Sequence, residues 1–163
     1  GAGVLFSGAT GALQALAELT ATPVFCTMPG KSAFDERHPL ALGAGSGATT
    51  LPAHRWLSDS DVLLALGSSL TRSPYGQPIR PGKVIIHNTI NPNDINKDEA
   101  ADIGLIGDTC LTIQALIEEI KAQTGGQGVG NRGQIEAEIA AINAQWMEEW
   151  TPLLKIHCFL LLF

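Results

Sequence analysis

The chain has 163 residues, 45% of them hydrophobic, and a formal net charge of −6. That length suits one domain with appendages, burying about 70% of its unfolded surface. Lys and Arg total only 10 and form no patch, which argues against nucleic acid as a partner. No apolar run approaches the ~20 residues of a membrane span, and no signal peptide is apparent, so the expected address is cytoplasmic.

Gly1-Ala2-Gly3-Val4 reads as a glycine turn of the kind that follows a buried strand, yet no strand precedes it. The chain therefore looks cut out of something longer. Residues 8–20 predict a helix with Leu13, Leu16, Ala17 and Leu19 on one face. After Pro23, residues 24–27 predict a short buried strand, with a loop from Pro29 to Ser32. Gly43-Ala44-Gly45-Ser46-Gly47 reads as a second glycine turn, followed by a helix over 49–58.

Asp61 precedes Val62-Leu63-Leu64-Ala65-Leu66, a continuous apolar strand closed by Gly67. Such runs mark strands covered on both faces by helices. A loop with three prolines follows, then a strand over 83–87, a turn near Pro92 to Asp98 and a last strand over 103–106. Gly107-Asp108 opens a helix over 109–122, with Asp108 as its N-cap. Strands separated by helices or long crossovers imply an α/β fold with a doubly wound parallel sheet, here lacking its first strand.

The expected organisation is a nucleotide-binding-like domain over 1–123, a Gly-rich linker over 124–133 and a helix over 134–152 leading towards an absent domain. Residues 153–163 form an atypical apolar tail, read either as non-native sequence or as a buried terminal strand. Exposed, that tail would invite self-association.

Gly128-Val129-Gly130-Asn131-Arg132-Gly133 matches G-x-G-x-x-G, but it follows a helix rather than a strand, so the mechanical requirement of a nucleotide loop fails. The strand over 24–27 ends in Met28-Pro29 without an acid for ribose hydroxyls, which argues against NAD-dependent hydride transfer. His38, His54, His87 and His157 lack metal spacing and read as structural. Cys26, Cys110 and Cys158 show no C-x-x-C and read as idle thiols of a reducing compartment. The acid pairs Glu118-Glu119 and Glu148-Glu149 read as solvated helix faces. No catalytic residue and no metal site is expected. Parallel strands bind ligands at their carboxyl ends. This makes Gly1, Gly3, Gly43, Gly45, Gly47, Gly67, Arg72 and Asp108 the candidate cofactor-binding residues, with Arg72 as a phosphate contact.

The order Gly1-Ala2-Gly3-Val4, Pro23-Val24, Gly30-Lys31-Ser32-Ala33-Phe34, His38-Pro39-Leu40, Ser60-Asp61-Val62-Leu63-Leu64-Ala65-Leu66-Gly67, Ile86-His87, Pro92 and Gly107-Asp108 resembles the central domain of thiamine-diphosphate-dependent enzymes, nearest their acetolactate-synthase-like branch. The resemblance covers residues 1–122. It implies two further domains as partners, one with a cofactor-activating glutamate and one with a Gly-Asp-Gly motif that holds Mg²⁺ and the diphosphate. This chain has no Gly-Asp-Gly, so thiamine diphosphate and Mg²⁺ belong to the parent enzyme. In some members the central domain holds FAD or ADP. Here Thr89 and Asn91 stand where the family has acids, Arg72 falls one position off the family arginine, and Gly45-Ser46-Gly47 replaces the family's turn.

The resemblance implies a parent acting on C–C bonds of 2-oxo acids, assembled as a homo-oligomer, with this domain as scaffold and FAD or ADP site but not catalytic alone. A stand-alone adenine-nucleotide module and a purely structural domain remain as alternatives.

Overall fold

The computed structural model describes residues 1–46, 48–74 and 76–157. In chain order it has α1 (Gly3–Phe6), α2 (Thr10–Thr20), β1 (Val24–Cys26), β2 (Ala41–Ser46), β3 (Ala48–Thr49), α3 (Leu51–Asp59), β4 (Val62–Ala65), β5 (Val84–Thr89), β6 (Ile103–Ile106), α4 (Thr109–Thr124) and α5 (Arg132–His157). Two 3-10 turns, Met28–Gly30 and Pro92–Asp94, follow β1 and β5.

The strands form two three-stranded sheets, ordered β1-β2-β3 and β4-β5-β6. β1 runs parallel to β2, and β4, β5 and β6 are mutually parallel; only the short β3 is antiparallel. The parallel α/β architecture expected from the alternation of apolar runs and amphipathic segments is therefore present. One core serves both sheets: Leu13, Leu16, Cys26, Leu40, Leu42, Leu66, Ile113 and Ile139 are buried together.

Several segments depart from expectation. Gly43 and Gly45 are not in a turn that opens a helix; they lie in β2, paired with Phe25 and with Thr49 respectively. Any side chain at 45 would collide with the Phe25 ring. Glycine there serves close packing within a strand. The helix that follows starts instead at Leu51, behind its N-cap Thr50, whose side chain accepts from Ala53 N and donates to Leu42 O. The β4–β6 sheet is also less covered than a continuous apolar run suggests. Val62, Val84 and Ile103, on one face by the strand register, stay about half exposed. Finally, α5 starts earlier and runs further than the expected 134–152 helix, continuing past Pro152. Ile139 and Ile142 bury it against the domain, and Arg55 donates to Gln145. Residues 158–163, most of the apolar tail, lie outside the described residues.

A polar clamp joins α2, the loop before β2 and α5. His38 Nδ1 accepts from Leu40 N, which leaves Nε2 to donate to Glu18 at 3.0 Å, and Arg132 stands 3.8 Å from the same carboxylate. The His38 hydrogen bond, helped by Gln14, holds the Glu18 carboxyl below the usual carboxylate range. A lowered folded-state value means stability present above the unfolded pKa and lost as pH falls through the folded one. Glu18→Gln should therefore flatten the acid limb of a stability-versus-pH curve below about pH 4.5. The effect should be small, since the carboxylate is a third exposed. Urea denaturation at successive pH values tests this; parallel acid limbs for the two proteins would refute it.

Candidate functional site: a cleft at the strand ends

The carboxyl ends of β1, β4, β5 and β6 converge on a cleft of about 430 Å³. Its floor is backbone. Gly3 N donates to Gly67 O at 2.9 Å, and the amino group of Gly1 donates to Leu66 O at 2.7 Å. Gly67 takes φ +55°, and a Cβ there would stand 2.7 Å from Gly3 Cα and Val4 N. Only glycine satisfies both the dihedral and the approach.

The walls come from residues just past the strands. Asp108 caps α4 by accepting from Leu111 N at 3.0 Å, as its position before an apolar periodic segment predicts. Beside it, the 3-10 turn after β5 swings Asp94 back to the strand end. Thr89 Oγ1 donates to one Asp94 oxygen at 3.1 Å and Asn91 Nδ2 to the other at 3.3 Å. Thr89 and Asn91 thus both serve a carboxylate a few positions later. The Asn-Pro-Asn-Asp string, a turn-former after a strand, was the available signal for Asp94. Phe6, 89% exposed, and Ile90, 75% exposed, give the cleft an apolar rim.

Beneath it, Asn88 is fully buried at the end of β5. Its Oδ1 accepts from Gly67 N, and its Nδ2 donates to Leu105 O, Gly107 O and Thr112 Oγ1. One amide therefore ties the β4 turn, the end of β6 and α4 together. His87 Nε2, also buried, donates to Ser68 O at 2.7 Å in a structural role.

Of the eight expected site residues, Gly1, Gly3, Gly67 and Asp108 line the cleft. Gly43 and Gly45 sit in β2 and do not. Gly47 lies outside the described residues. Arg72 points elsewhere: its guanidinium binds Glu99 at 2.8 Å, and its backbone N–H donates to Asp98. Among the described residues no Lys or Arg side chain lines the cleft. A second hollow, of about 330 Å³, is formed by the loop over residues 32–37, where Asp35 is already paired with Arg37 and Glu36 with Lys31.

The donor set suits one half of an adenine dinucleotide better than the other. Two carboxylates and a threonine can accept and donate to ribose hydroxyls, and the apolar rim can flank a flat ring. A diphosphate would find the α4 N-terminus but no basic side chain, and two carboxylates nearby. Asp108→Ala should cost about 1 kcal/mol through loss of the α4 cap alone. Thermal denaturation with and without ADP separates this cost from any ligand effect; an unchanged stability would contradict the cap.

Parallel strands between helices, with a glycine-floored cleft at their carboxyl ends, define a Rossmann-like α/β domain. The family model described as "Thiamine pyrophosphate enzyme, central domain" matches residues 1–116. The chain belongs to that family. It is similar to a probable acetolactate synthase large subunit of Methanococcus aeolicus, with 34% identity over 157 residues, covering 95% of this chain and 25% of the relative. A probable acetolactate synthase large subunit of Methanocaldococcus jannaschii is 37% identical over 124 residues, 75% of this chain and 21% of the relative. The acetolactate synthase large subunit IlvB1 of Mycobacterium tuberculosis is 35% identical over 123 residues, 74% and 20% respectively. The chain therefore spans a fifth to a quarter of the length of these relatives.

Proposed function

We propose that this chain is the middle domain of an acetolactate-synthase-like enzyme that acts on C–C bonds of 2-oxo acids. In such a parent, thiamine diphosphate with Mg²⁺ supplies the carbanion chemistry, and the protein supplies binding and orientation. This chain's own contribution is to frame the cleft, hold neighbouring domains in place and bind the adenosine end of FAD or ADP, without catalysis of its own. The carrying observation is the convergence of Gly1, Gly3 and Gly67 backbone with Asp94 and Asp108 at the carboxyl ends of parallel strands. The apolar stripe of Val62, Val84 and Ile103 supports contact with another domain or subunit, in keeping with a homo-oligomeric parent. Free thiols at Cys26 and Cys110 support a reducing, cytoplasmic compartment. No helix among the described residues is long and apolar enough to cross a membrane.

A thermal-shift and calorimetric titration with ADP, FAD and thiamine diphosphate tests the proposal. ADP or FAD at 100 times its dissociation constant should add about 2.7 kcal/mol of stability, thiamine diphosphate nothing, and Asp94→Asn should weaken the adenine ligands. Pyruvate turnover by the chain alone would overturn the non-catalytic role. The missing basic side chain favours a second reading, a purely structural domain, and absence of any shift would decide for it.

A further inference from the structure

α5 does not fold back on the helix that it follows. It packs chiefly on α3 and not on α4, with Ile139 and Ile142 buried and Arg55 bonded to Gln145. The strap that leads to it, residues 127–131, is seated too. Val129 N donates to Leu19 O at 2.8 Å, satisfying a carbonyl at the open end of α2. Gly130 takes φ +85° against that end, where a Cβ would stand 3.1 Å from Ala21 Cβ and 3.3 Å from Thr20 O. Asn131 Oδ1 then accepts from Gln134 N, and Arg132 stands 3.8 Å from Glu18. Between this seat and α4 lies the turn Gly125-Gly126. Both glycines take positive φ, +65° and +81°, and a Cβ on either meets nothing within 4 Å. The turn's own hydrogen bonds, Gly126 N to Lys121 O and Gln127 N to Thr124 O, run back into α4 rather than to the seat.

We propose that residues 127–157 are an exchangeable arm, which docks on its own domain or, reciprocally, on that of a second copy of this chain. The seat offers the same partners to either arm: the end of α2, Glu18, Arg55 and α3. The choice between them therefore rests on the glycine turn. Holding two successive glycines left-handed gives up conformational freedom that an opened hinge regains. Exchange remakes each contact of the seat in trans, and two crossed arms close a symmetric dimer with no site left open. Against exchange stands the tether. A short one gives the cis arm an effective concentration in the millimolar range, so the dimer should reach half its maximum at about 1 mM chain. None of this depends on what fills the cleft.

The test mixes two copies of the chain, one carrying Arg55→Cys and the other Gln145→Cys. Both also carry Cys110→Ser and Cys158→Ser, so that the buried Cys26 is the only other thiol. Mixed at about 1 mM and treated with a short bis-maleimide, they should become joined from position 55 of one copy to position 145 of the other, and at about 10 µM they should not. Gly126→Ala reads the hinge itself. Its methyl meets no atom, so only the dihedral is opposed. That disfavours the turn about tenfold, and a dimer relieves two turns, so dimerisation should tighten about a hundredfold in sedimentation equilibrium. No link between copies at the higher concentration, or an unchanged dimer constant for Gly126→Ala, overturns the proposal. So does a dimer in which a chain carrying both cysteines still cross-links within itself, which would mean that another surface associates.

Discussion

Asn88→Leu should destabilise the chain by about 3 kcal/mol, because it deletes a buried amide and leaves the Gly67 N–H and two carbonyls short of a partner. The branched four-atom skeleton is kept and the larger methyl groups open no cavity, so the loss combines the missing hydrogen bonds with some overpacking. A loss below 1 kcal/mol in urea denaturation would show that the β4 turn and α4 hold without the amide. Asn88→Asp sharpens the test. Its second oxygen would face Leu105 O and Gly107 O instead of donating to them, so the buried acid favours its protonated form and its folded pKa rises. A raised folded value means stability retained below the unfolded pKa of about 3.9 and lost as pH climbs towards the folded one. The aspartate variant should accordingly approach the parent chain in acid and fall away towards neutral pH. A pH-independent difference would refute the assignment of Nδ2 to the carbonyl side.

Gly67→Ala should be worse still, at about 4 kcal/mol. The left-handed dihedral costs roughly 1–2 kcal/mol for any L side chain, and the new methyl meets main-chain atoms of Gly3 and Val4, which cannot rotate away. Gly3→Ala attacks the same contact from the other side, its Cβ falling 2.6 Å from Gly67 Cα. Once either methyl has pushed α1 off the β4 turn, the second finds the space already open. The double variant should then lose far less than the sum of the single losses, and a double-mutant cycle measures that shortfall. Strict additivity would mean that the two glycines do not share one contact. Since both residues line the cleft, each single variant should also abolish any adenine-nucleotide shift.

What could be read from the residues alone was local. α4 announced itself through Asp108 and the spacing of Leu111, Ile113, Leu116 and Ile117, and the structure places the cap within a residue of expectation. β4 and β6 stood out as apolar runs between turn residues. Gly43 to Gly47 misled because glycine has two uses that share one composition. It can turn a chain, or it can let a ring lie against a flat strand, and the ring in question, Phe25, is some twenty residues away. Arg72 had the right neighbourhood but the wrong partner, since nothing near it in sequence signals Glu99. Asp94 was not legible as a site residue because it lies beyond the strand end, and only the 3-10 turn brings its carboxylate back to Thr89. Long-range pairing decided the glycines and Arg72, a local turn decided Asp94, and a sequence records pairing only indirectly.

The contact of Gly30, Gly1, Gly3 and Gly67 has a further meaning for how such a domain can change over generations. Three separate segments touch there through main chain alone, so their spacing is set by the radii of peptide atoms and not by any side chain. Phe6, Ser69 and Ile90 stand around that junction without supporting it. They are free to drift, and with them the preferred occupant of the cleft, while the frame beneath keeps its dimensions. A lineage built this way can trade one ligand for another, or lose the ligand altogether, without having to reinvent the fold.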